Sequence, residues 1–455
     1  MQLSANVVIC GAGIAGISTA YHLAVHQGVR DIFLIDERPP LSLTSDKSTE
    51  CYRNWWPGPG NAMVALMNRS IDWLEILARQ SGNVFHLNRR GYLYLTADPG
   101  KVDDFSRAAR EPSSLGAGDL RVHVPESKTS DYKPSLPEGF ENQPGGADLI
   151  LDRELIYRYF PYLSERVVAA LHARRAGWFS AQQLGMYLLE RARQRGVNLL
   201  QARVEQIIVS NGRVRSVVLD NGDQVATRSF VNAAGPFIKE IGALMGLELP
   251  VFCELHQKVA FRDTLRKLDR YAPMLIWTDP QILPWSAEEQ ALLLEDETRW
   301  MLGEMPAGVH TRPEGGWDSD IHLMLWEYRS HVTPPVMPPP LDEQYPELVL
   351  RGLGTMLPAL HAYFNKSTKP IQDGGYYTRT RENRPLIGPL AIEGTYVIGA
   401  LSGYGLMAAC AAGELLAAHI VHGPLPAYAP AFSIERYKDP DYQKALESWI
   451  DAGQL

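Results

Sequence analysis

The stretch from residue 5 to residue 38 constrains the fold of this chain more than any other. A short apolar run at 7–9 leads into the segment GAGIAG at 11–16, an apolar helical face follows, and a second apolar run at 32–35 ends at Asp36. This order of strand, glycine turn, helix, strand and acid is the context in which a G-x-G-x-x-G match is credible. It predicts a dinucleotide-binding unit built on a parallel sheet. An ordinary glycine turn is the alternative interpretation.

Each glycine has its own physical role in such a turn. Gly11 permits the tight turn, Gly13 lets backbone approach a pyrophosphate, and Gly16 lets the helix lie close to the strand. The free N–H groups and the positive dipole at the helix start then face the phosphates. Asp36 lies 20 residues beyond Gly16, where its carboxylate can accept hydrogen bonds from a ribose 2′-OH. The motif by itself does not distinguish FAD from NAD.

Composition and charge narrow the class of protein. The chain has 455 residues, of which 45% are apolar, and this length supports two or three domains with large cores. The formal net charge is −8 and there is no basic run, which argues against nucleic-acid binding. The four cysteines lie far apart and form no C-x-x-C pair, which argues against structural zinc and a disulfide framework. This cysteine usage favours a reducing compartment.

Hydropathy gives no sign of a membrane segment. No apolar stretch reaches the roughly 18 residues that a spanning helix needs. The first predicted strand begins within a few residues of the N-terminus, which leaves no room for a signal peptide. We therefore expect a cytoplasmic protein without a transmembrane segment.

Apolar periodicity and turn residues predict the remaining elements. Predicted helices lie at about 61–80, 181–195, 341–357 and 406–421, and an arginine-rich stretch at 151–176 is helix-like. Predicted strands lie at about 90–96, 197–204, 207–209, 214–219, 230–236, 250–262, 321–327 and 396–400. Hairpin turns are expected at Asn211-Gly212 and Asn221-Gly222. The stretches 99–150 and 263–320 are expected to be loop-rich and irregular.

Three further stretches carry residues suited to contacting a ligand. Residues 44–49 (TSDKST) gather hydroxyls that can bind phosphate or ribityl oxygens, although a capped loop before the 61–80 helix is an equally good interpretation. The strand at 230–236 ends in small residues, which let backbone approach a ligand closely. A second glycine turn, SGYG at 402–405, joins the last strand to a helix. Both ends of the chain can therefore contact one ligand.

In their joint order and spacing these stretches resemble the D-amino-acid oxidase (DAO) superfamily of FAD-dependent oxidoreductases, and they are similar to its sarcosine oxidase and glycine oxidase members. The matching pieces are GAGIAG with Asp36, the 44–53 loop, the segment 181–197, VNAAGPF at 231–237, RENRPLIG at 381–388 and GALSGYG at 399–405. The resemblance selects FAD over NAD. It implies an α/β fold with a discontinuous Rossmann-like FAD-binding domain and a second α+β substrate domain built on a mixed sheet.

The same resemblance divides the chain and marks the cofactor residues. The FAD-binding domain is expected to comprise 1–90, 151–237 and 371–430, and the substrate or cap domain 91–150 and 238–370, with a C-terminal tail at 431–455. The expected cofactor-binding residues are Gly11, Gly13, Ile14, Ala15, Gly16, Asp36, Glu37, Arg38, Thr44, Ser45, Ser48, Thr49, Val204, Ala233, Ala234, Gly235, Gly403, Tyr404, Gly405, Leu406 and Met407.

By the same resemblance, three residues are expected to act on substrate or oxygen. Arg53, four residues after Thr49, matches an arginine near flavin and substrate, and its fixed cation suits a carboxylate. Tyr377 matches a substrate-pocket tyrosine, and Lys258 matches the lysine credited with activating oxygen. Each has an alternative role: Arg53 as a phosphate or surface arginine, Tyr377 as a core residue, and Lys258 as a strand lysine that reaches solvent.

Four positions depart from the sarcosine oxidase pattern. Glu50 stands where another arginine is common, Gly375 where the monomeric enzymes carry the cysteine that links to flavin, Tyr404 where a histidine is usual, and Met407 where several relatives carry a carboxylate-binding lysine. Gly375 implies noncovalent FAD, because Cys51 is expected in a loop that has no family precedent for linkage. Met407 implies a substrate bulkier or more apolar than sarcosine.

The implied reaction is oxidation of a C–N bond in an amine or amino acid, with hydride passing to flavin N5 and hydrolysis of the imine product. The expected substrate is a secondary or N-substituted amino acid, and the expected acceptor is oxygen. Three alternatives stay open: a dehydrogenase that reduces a quinone or partner protein, a relative that oxidises a 2-hydroxy acid, and an FAD-retaining assembly factor. His256, His322 and His361 show no metal-ligand spacing and are expected to be structural.

Overall fold

The computed structural model describes residues 2–125, 131–294, 297–366 and 368–449. Parts of three predicted stretches lie outside the described residues, namely 126–130 of the 99–150 loop, 295–296 of the 263–320 stretch, and 450–455 of the C-terminal tail.

In the described ranges the α-helices, numbered in chain order, are α1 (Ile14–Tyr21), α2 (Ala62–Ser81), α3 (Val102–Pro112), α4 (Arg153–Tyr159), α5 (Ala181–Arg193), α6 (Ile238–Ala243), α7 (Ala287–Leu292), α8 (Tyr345–Met356), α9 (Gly405–Ile420) and α10 (Pro440–Glu447). The strands are β1 (Gln2–Ala5), β2 (Val7–Cys10), β3 (Ile32–Asp36), β4 (Cys51–Arg53), β5 (Tyr92–Thr96), β6 (Leu120–His123), β7 (Ala147–Ile150), β8 (Ala169–Ala173), β9 (Ala176–Trp178), β10 (Val197–Gln201), β11 (Val204–Ser210), β12 (Arg213–Leu219), β13 (Gln224–Thr227), β14 (Phe230–Asn232), β15 (Phe252–Arg262), β16 (Met274–Trp277), β17 (Gln281–Ile282), β18 (Glu304–Met305), β19 (His310–Glu314), β20 (Ile321–Leu325), β21 (Ile371–Arg379), β22 (Leu386–Pro389) and β23 (Thr395–Gly399).

A six-stranded sheet forms the centre of the first layer, in the order β10-β3-β2-β14-β23-β22. Its pairings are parallel except at β22, which runs antiparallel to β23. Strand β2 is buried along its whole length, as parallel strands covered on both faces must be. The predicted strand, turn, helix and strand unit at 5–38 is therefore confirmed.

The helices α1 and α9 bring the two glycine turns together. A Cβ added at Gly413 of α9 would lie 2.4 Å from the Ser18 Oγ of α1, so glycine there permits close packing of the two helices. The Ser18 hydroxyl also donates a hydrogen bond to the Ala409 carbonyl at 2.8 Å. Residues nearly 400 positions apart in sequence thus form one wall of the same layer.

A nine-stranded mixed sheet forms the second large layer, in the order β21-β15-β20-β19-β16-β5-β8-β7-β6. Its longest strand, β15, pairs antiparallel with both β20 and β21. The fold class predicted from the sequence, with large mixed α/β sheets assembled from discontinuous segments, is confirmed. A smaller four-stranded sheet, in the order β1-β13-β12-β11, contains both predicted hairpins as antiparallel pairs.

The interpretation of 151–176 as helix-like is wrong for most of its length. Only Arg153–Tyr159 is helical, and Ala169–Ala173 is a fully buried strand between β5 and β7. The backbone hydrogen bonds of that strand come from partners remote in sequence. Local helix propensity therefore does not decide its conformation.

The helix α4 offers a test of local stability. Its N-cap Asp152 accepts hydrogen bonds from the backbone N–H groups of Glu154 and Leu155. Asp152→Ala should lower the free energy of unfolding by about 1 kcal/mol, because two N–H groups lose their acceptor. Asp152→Asn, which keeps a side-chain acceptor, should stay within a few tenths of a kcal/mol. Urea unfolding of both variants measures the difference, and equal losses would show that the cap is not the cause.

The stretches predicted as loop-rich and irregular also contain ordered elements. Residues 99–150 include α3, β6 and β7, and residues 263–320 include α7 and four strands, β16 to β19. Strand Met274–Trp277 is buried and parallel to β5, although Trp and Pro residues surround it in the sequence. Likewise Cys51, expected in a loop, lies in β4, which pairs with β9.

The points at which the chain passes from one sheet to another do not coincide with the domain boundaries predicted at 151 and 371. The strand at 169–173 and the strand at 371–379 both belong to the nine-stranded sheet, although they fall in stretches assigned to the FAD-binding domain. The division into domains stays a prediction.

No helix in the described ranges is both long and apolar enough to cross a membrane.

Candidate active site

The first glycine turn has the backbone geometry that its predicted roles require. Gly11 has φ +114°, and a Cβ there would lie 2.3 Å from the Ala233 carbonyl oxygen. A Cβ on Gly16 would lie 1.9 Å from the Gly11 carbonyl oxygen. Any larger residue at either position would have to displace main chain. The turn is therefore held tightly against the small residues that end β14.

The Asp36 carboxylate braces this turn from the end of β3. One oxygen accepts the Ala12 N–H at 2.7 Å, and the other accepts the Arg38 N–H at 2.9 Å. Burial raises the pKa of Asp36, and the two backbone hydrogen bonds oppose that rise. Each oxygen keeps a second lone pair that can accept a ribose hydroxyl.

A cavity opens at the start of α1, between the two glycine turns. We call it the cofactor cavity. Of the predicted cofactor residues it is lined by Gly13, Ile14, Ala15, Thr44, Ser45, Ser48, Ala233, Gly235, Gly403, Gly405 and Leu406. The Ser45 hydroxyl accepts the Ile14 N–H at 3.0 Å, so hydroxyl and helix start form one polar surface. Main-chain N–H groups, hydroxyls and small residues are the groups that fit the phosphates and ribityl chain of FAD.

The other predicted cofactor residues take different places. Thr49, Tyr404 and Met407 line a second, larger cavity. Gly11, Gly16, Asp36, Glu37, Arg38, Val204 and Ala234 line neither cavity among the described residues. Val204 lies at the start of β11 in the four-stranded sheet, packed in an apolar cluster.

The second glycine turn is built on unusual backbone. Ala400 and Ser402 have φ of 52° and 48°, in the left-handed region that non-glycine residues seldom adopt. Tyr404, at the start of α9, is buried, and its hydroxyl donates to the Asn383 carbonyl at 2.9 Å. This bond ties the turn to the RENRPLIG segment. The positive φ values of Ala400 and Ser402 are a form of backbone strain that is typical of main chain shaped around a ligand.

The larger cavity, which we call the substrate cavity, has a volume of about 370 Å³. Tyr377 and Gly403 line both cavities, so the two adjoin at that wall. The volume falls at the lower end of the range for small-molecule sites. The predicted residues Arg53, Tyr377 and Met407 are all brought to this cavity.

Arg53 lines the substrate cavity from β4 and is 3% exposed. Its Nε donates to the Trp55 carbonyl at 3.1 Å, and its guanidinium lies 4.7 Å from the Trp56 ring and 5.6 Å from the Tyr92 ring. In the described part of the chain no carboxylate lies within ion-pair distance of it. A buried guanidinium without an acidic partner is prepared to receive an anion.

Sequence reasoning missed the residues around Tyr377. The His256 ring stacks on the Tyr377 ring, with centroids 3.8 Å apart, and His256 lines the substrate cavity rather than being purely structural. Glu327 lines the same cavity. Along predicted strand 250–262, Glu254, His256 and Lys258 alternate on one face, and this period-2 polar pattern was the available signal.

Lys258 lines neither cavity. Its Nζ donates to the Asp46 carbonyl at 2.8 Å and to the Ser48 carbonyl at 3.3 Å. Lys258 therefore stabilises the 44–49 loop through main-chain hydrogen bonds. Burial lowers the pKa of Lys258, although Glu50, Asp373 and Asp46 oppose the effect.

The positions considered for covalent flavin linkage differ in setting. A Cβ added at Gly375 would lie 2.8 Å from Lys47 Cβ, so this position faces the 44–47 loop. Cys51 lines the substrate cavity, and burial raises the pKa of its thiol.

Comparisons with known proteins agree on one family. The model of the FAD dependent oxidoreductase (DAO) family matches residues 6–419. Dimethylglycine dehydrogenase of Rattus norvegicus is 24% identical over 426 residues, which is 93% of this chain and 43% of that protein. The chain thus spans less than half the length of this curated relative.

Two solved structures share the fold. L-proline dehydrogenase from P. horikoshii superposes with a TM-score of 0.73 at 19% identity, covering 96% of this chain and 99% of that one. Glycine oxidase from Geobacillus kaustophilus superposes with a TM-score of 0.71 at 16% identity, covering 94% and 98%.

Proposed function

This chain belongs to the DAO family of FAD-dependent oxidoreductases, and from that premise we propose that it oxidises the C–N bond of an amino acid. The observation that carries the proposal is the Arg53 guanidinium, buried at the substrate cavity without an acidic partner among the described residues. Dimethylglycine, L-proline and glycine, which occur in the names of the similar proteins, all carry a carboxylate. FAD, when bound, supplies the two-electron acceptor for this oxidation.

The residues of the substrate cavity support a secondary or N-substituted amino acid as substrate. Arg53 offers a planar fork that matches a carboxylate, and its aromatic neighbours keep water away from the contact. Met407 adds a thioether that pairs with no charge and extends the apolar wall. Tyr377, on the wall shared with the cofactor cavity, limits where the reacting carbon can lie.

The test is anaerobic reduction of the flavin by a panel of compounds, and the loss of flavin absorbance measures the reduction. The panel pairs amino acids with neutral amines of the same shape, and includes 2-hydroxy acids. We expect carboxylate-bearing secondary amines to bleach the flavin fastest. Bleaching by hydroxy acids alone would replace the proposed reaction with alcohol oxidation, and no bleaching by any compound would favour an assembly factor.

An alternative keeps the C–N oxidation and changes the acceptor to a quinone or partner protein. The observation that favours it is Lys258, whose ammonium is held by loop carbonyls and lines neither cavity. A peroxide assay during turnover distinguishes the two, because only the oxidase produces peroxide in proportion to substrate consumed.

For the compartment we propose the cytoplasm, supported by four free and buried cysteines.

We predict that FAD is held noncovalently. Gly375 offers no linking side chain and packs against Lys47, and the Cys51 thiol is kept protonated by burial, which weakens it as a nucleophile. Acid precipitation of the protein should leave the yellow colour in the supernatant. Flavin that remains in the washed pellet would contradict this, and a Cys51→Ser variant would then show whether Cys51 carries the link.

A further inference from the structure

The substrate cavity has a second charged wall that the proposed role of Arg53 leaves unused. It is formed by His256 on β15 and by Glu327, which follows β20, and Glu254 of β15 lies beside His256 without lining the cavity. The His256 Nε2 lies 3.7 Å from a Glu254 oxygen and 3.6 Å from a Glu327 oxygen. The ring of His256 is held in place by its stacking on Tyr377.

The two carboxylates near His256 are not equivalent. A Glu254 oxygen accepts a hydrogen bond from the Arg379 Nη1 at 2.8 Å, so that carboxylate is already paired with a cation. The Glu327 side chain is 43% exposed, and in the described ranges its one contact within ion-pair distance is the His256 Nε2 at 3.6 Å, beyond hydrogen-bond distance. Glu327 is therefore the carboxylate with capacity for another cation.

The imidazole next to Glu327 also has an unused polar atom. The His256 side chain is 9% exposed, and its Nε2 has no hydrogen-bond partner among the described residues. A buried polar atom without a partner is costly unless a ligand or water completes it. Burial, with the Glu327 charge as a second cause, raises the pKa of Tyr377, whose side chain lies on the wall shared with the cofactor cavity.

Aromatic rings complete the surroundings of this wall. Tyr328, Trp326 and Tyr345 line the cavity, with the Tyr328 ring 5.6 Å from the Trp326 ring and 5.7 Å from the Tyr345 ring. Ring faces attract cations, and N-alkyl groups can pack on them. A carboxylate beside such rings fits a substituted ammonium group.

We propose that Glu327, with His256 beside it, binds the cationic nitrogen of the substrate while Arg53 binds its carboxylate. The cavity then recognises the zwitterion as a whole, which makes Glu327 the residue that distinguishes amino acids from other carboxylates. This inference rests on the proposed function and names the charge state of its substrate. The ammonium group is bound as a cation, and no bond is made or broken in the binding step.

A divalent metal ion is the competing occupant of this wall. Ligand atoms of Glu254, His256 and Glu327 lie within 4.8 Å of one another. The Arg379 guanidinium already occupies an oxygen of Glu254, and a second cation of higher charge would be repelled there. An ammonium group held mainly by Glu327 avoids that repulsion.

The experiment compares two carboxylates of the same shape, betaine and 3,3-dimethylbutanoate, which differ in having N⁺ or carbon at one position. Neither can lose a hydride from a free amine, so binding to the FAD-loaded protein is measured by calorimetry without turnover. The wild-type protein should prefer betaine by roughly tenfold. Glu327→Gln should reduce the preference to within about twofold, because the amide keeps the shape and removes the charge.

Asp342→Asn is the matched control, because Asp342 also lines the cavity but accepts the Tyr328 hydroxyl at 2.9 Å. It should keep the preference for betaine. Equal binding of the two ligands by the wild-type protein, or a preference that survives Glu327→Gln, would overturn the proposal. Zn²⁺ binding that Glu327→Gln removes, without any preference for betaine, would assign the wall to a metal. A preference for betaine in a protein whose flavin no amino acid reduces would overturn the proposed function and leave this inference standing.

Discussion

Arg53→Ala should raise the KM for carboxylate-bearing substrates by roughly 30- to 900-fold, equivalent to about 2–4 kcal/mol of apparent binding energy. The reason is the environment of Arg53, which is 3% exposed and has its guanidinium 4.7 Å from the Trp56 ring and 5.6 Å from the Tyr92 ring. Removing it leaves the substrate carboxylate desolvated without a partner, and the cost is larger than for an exposed pair. The measurement is steady-state kinetics with an amino acid that bleaches the flavin and with a neutral amine of the same shape.

Arg329→Ala is the control for a general loss of positive charge, because Arg329 lines the same cavity but is exposed and stacks on Trp300 at 4.2 Å. It should change KM by only a few-fold, as rim charges do. Arg53→Lys should recover part of the loss, since lysine keeps the charge and loses the planar fork. If Arg53→Ala loses as much activity on the neutral amine as on the amino acid, Arg53 does not bind the substrate carboxylate.

If oxygen is the acceptor and Lys258 activates it, Lys258→Met should slow reoxidation of the reduced flavin by oxygen by about 100-fold or more, and leave anaerobic reduction within about tenfold. Negative charge develops on oxygen as it is reduced, and a fixed cation near that charge lowers the barrier. Substrate oxidation needs no such cation at this position, so the two half-reactions should separate. Stopped-flow absorbance of each half-reaction measures the two rates independently.

The position of Lys258 requires a second measurement, because its Nζ holds the carbonyls of Asp46 and Ser48. Lys47→Met is the matched control: it removes a neighbouring cation that pairs with Asp46 and Asp373, each at 2.9 Å. Flavin affinity of both variants should be determined beside the rates. If Lys258→Met weakens flavin binding and leaves reoxidation unchanged, Lys258 positions the loop and does not activate oxygen. If the wild-type protein forms no peroxide with any reducing substrate, the acceptor is not oxygen.

The cofactor side of the site was largely predictable, because its signals are local. Gly11 and Gly16 are glycines since a Cβ would meet backbone within 2.3 Å, and such steric demands act over a few residues. Hydroxyl-rich loops and glycine turns are likewise local signals, and Thr44, Ser45, Ser48, Gly403 and Gly405 line the cofactor cavity. Their contacts with FAD stay a prediction.

The substrate side was predictable only in part. Arg53, Tyr377 and Met407 came from resemblance, and all three line the substrate cavity. Glu327 was missed because it follows β20, lies 71 positions from His256 and has no local pattern of its own, whereas His256 had only the polar alternation of its strand as a signal. The loop contacts of Lys258 cross 212 positions of sequence, so its strand alternation indicated a face and not a partner.

The sequence alone determined the identity of the first layer, a parallel sheet entered through a glycine turn, because steric limits on backbone and the alternation of apolar residues act between neighbours along the chain. Only the tertiary structure decided that 169–173 is a strand, that β16 crosses the centre of the nine-stranded sheet, and that a carboxylate and an imidazole share a wall with Tyr377. Strand pairing and side-chain clusters depend on partners supplied by distant segments. Their hydrogen bonds and burial become available only when the layers have packed.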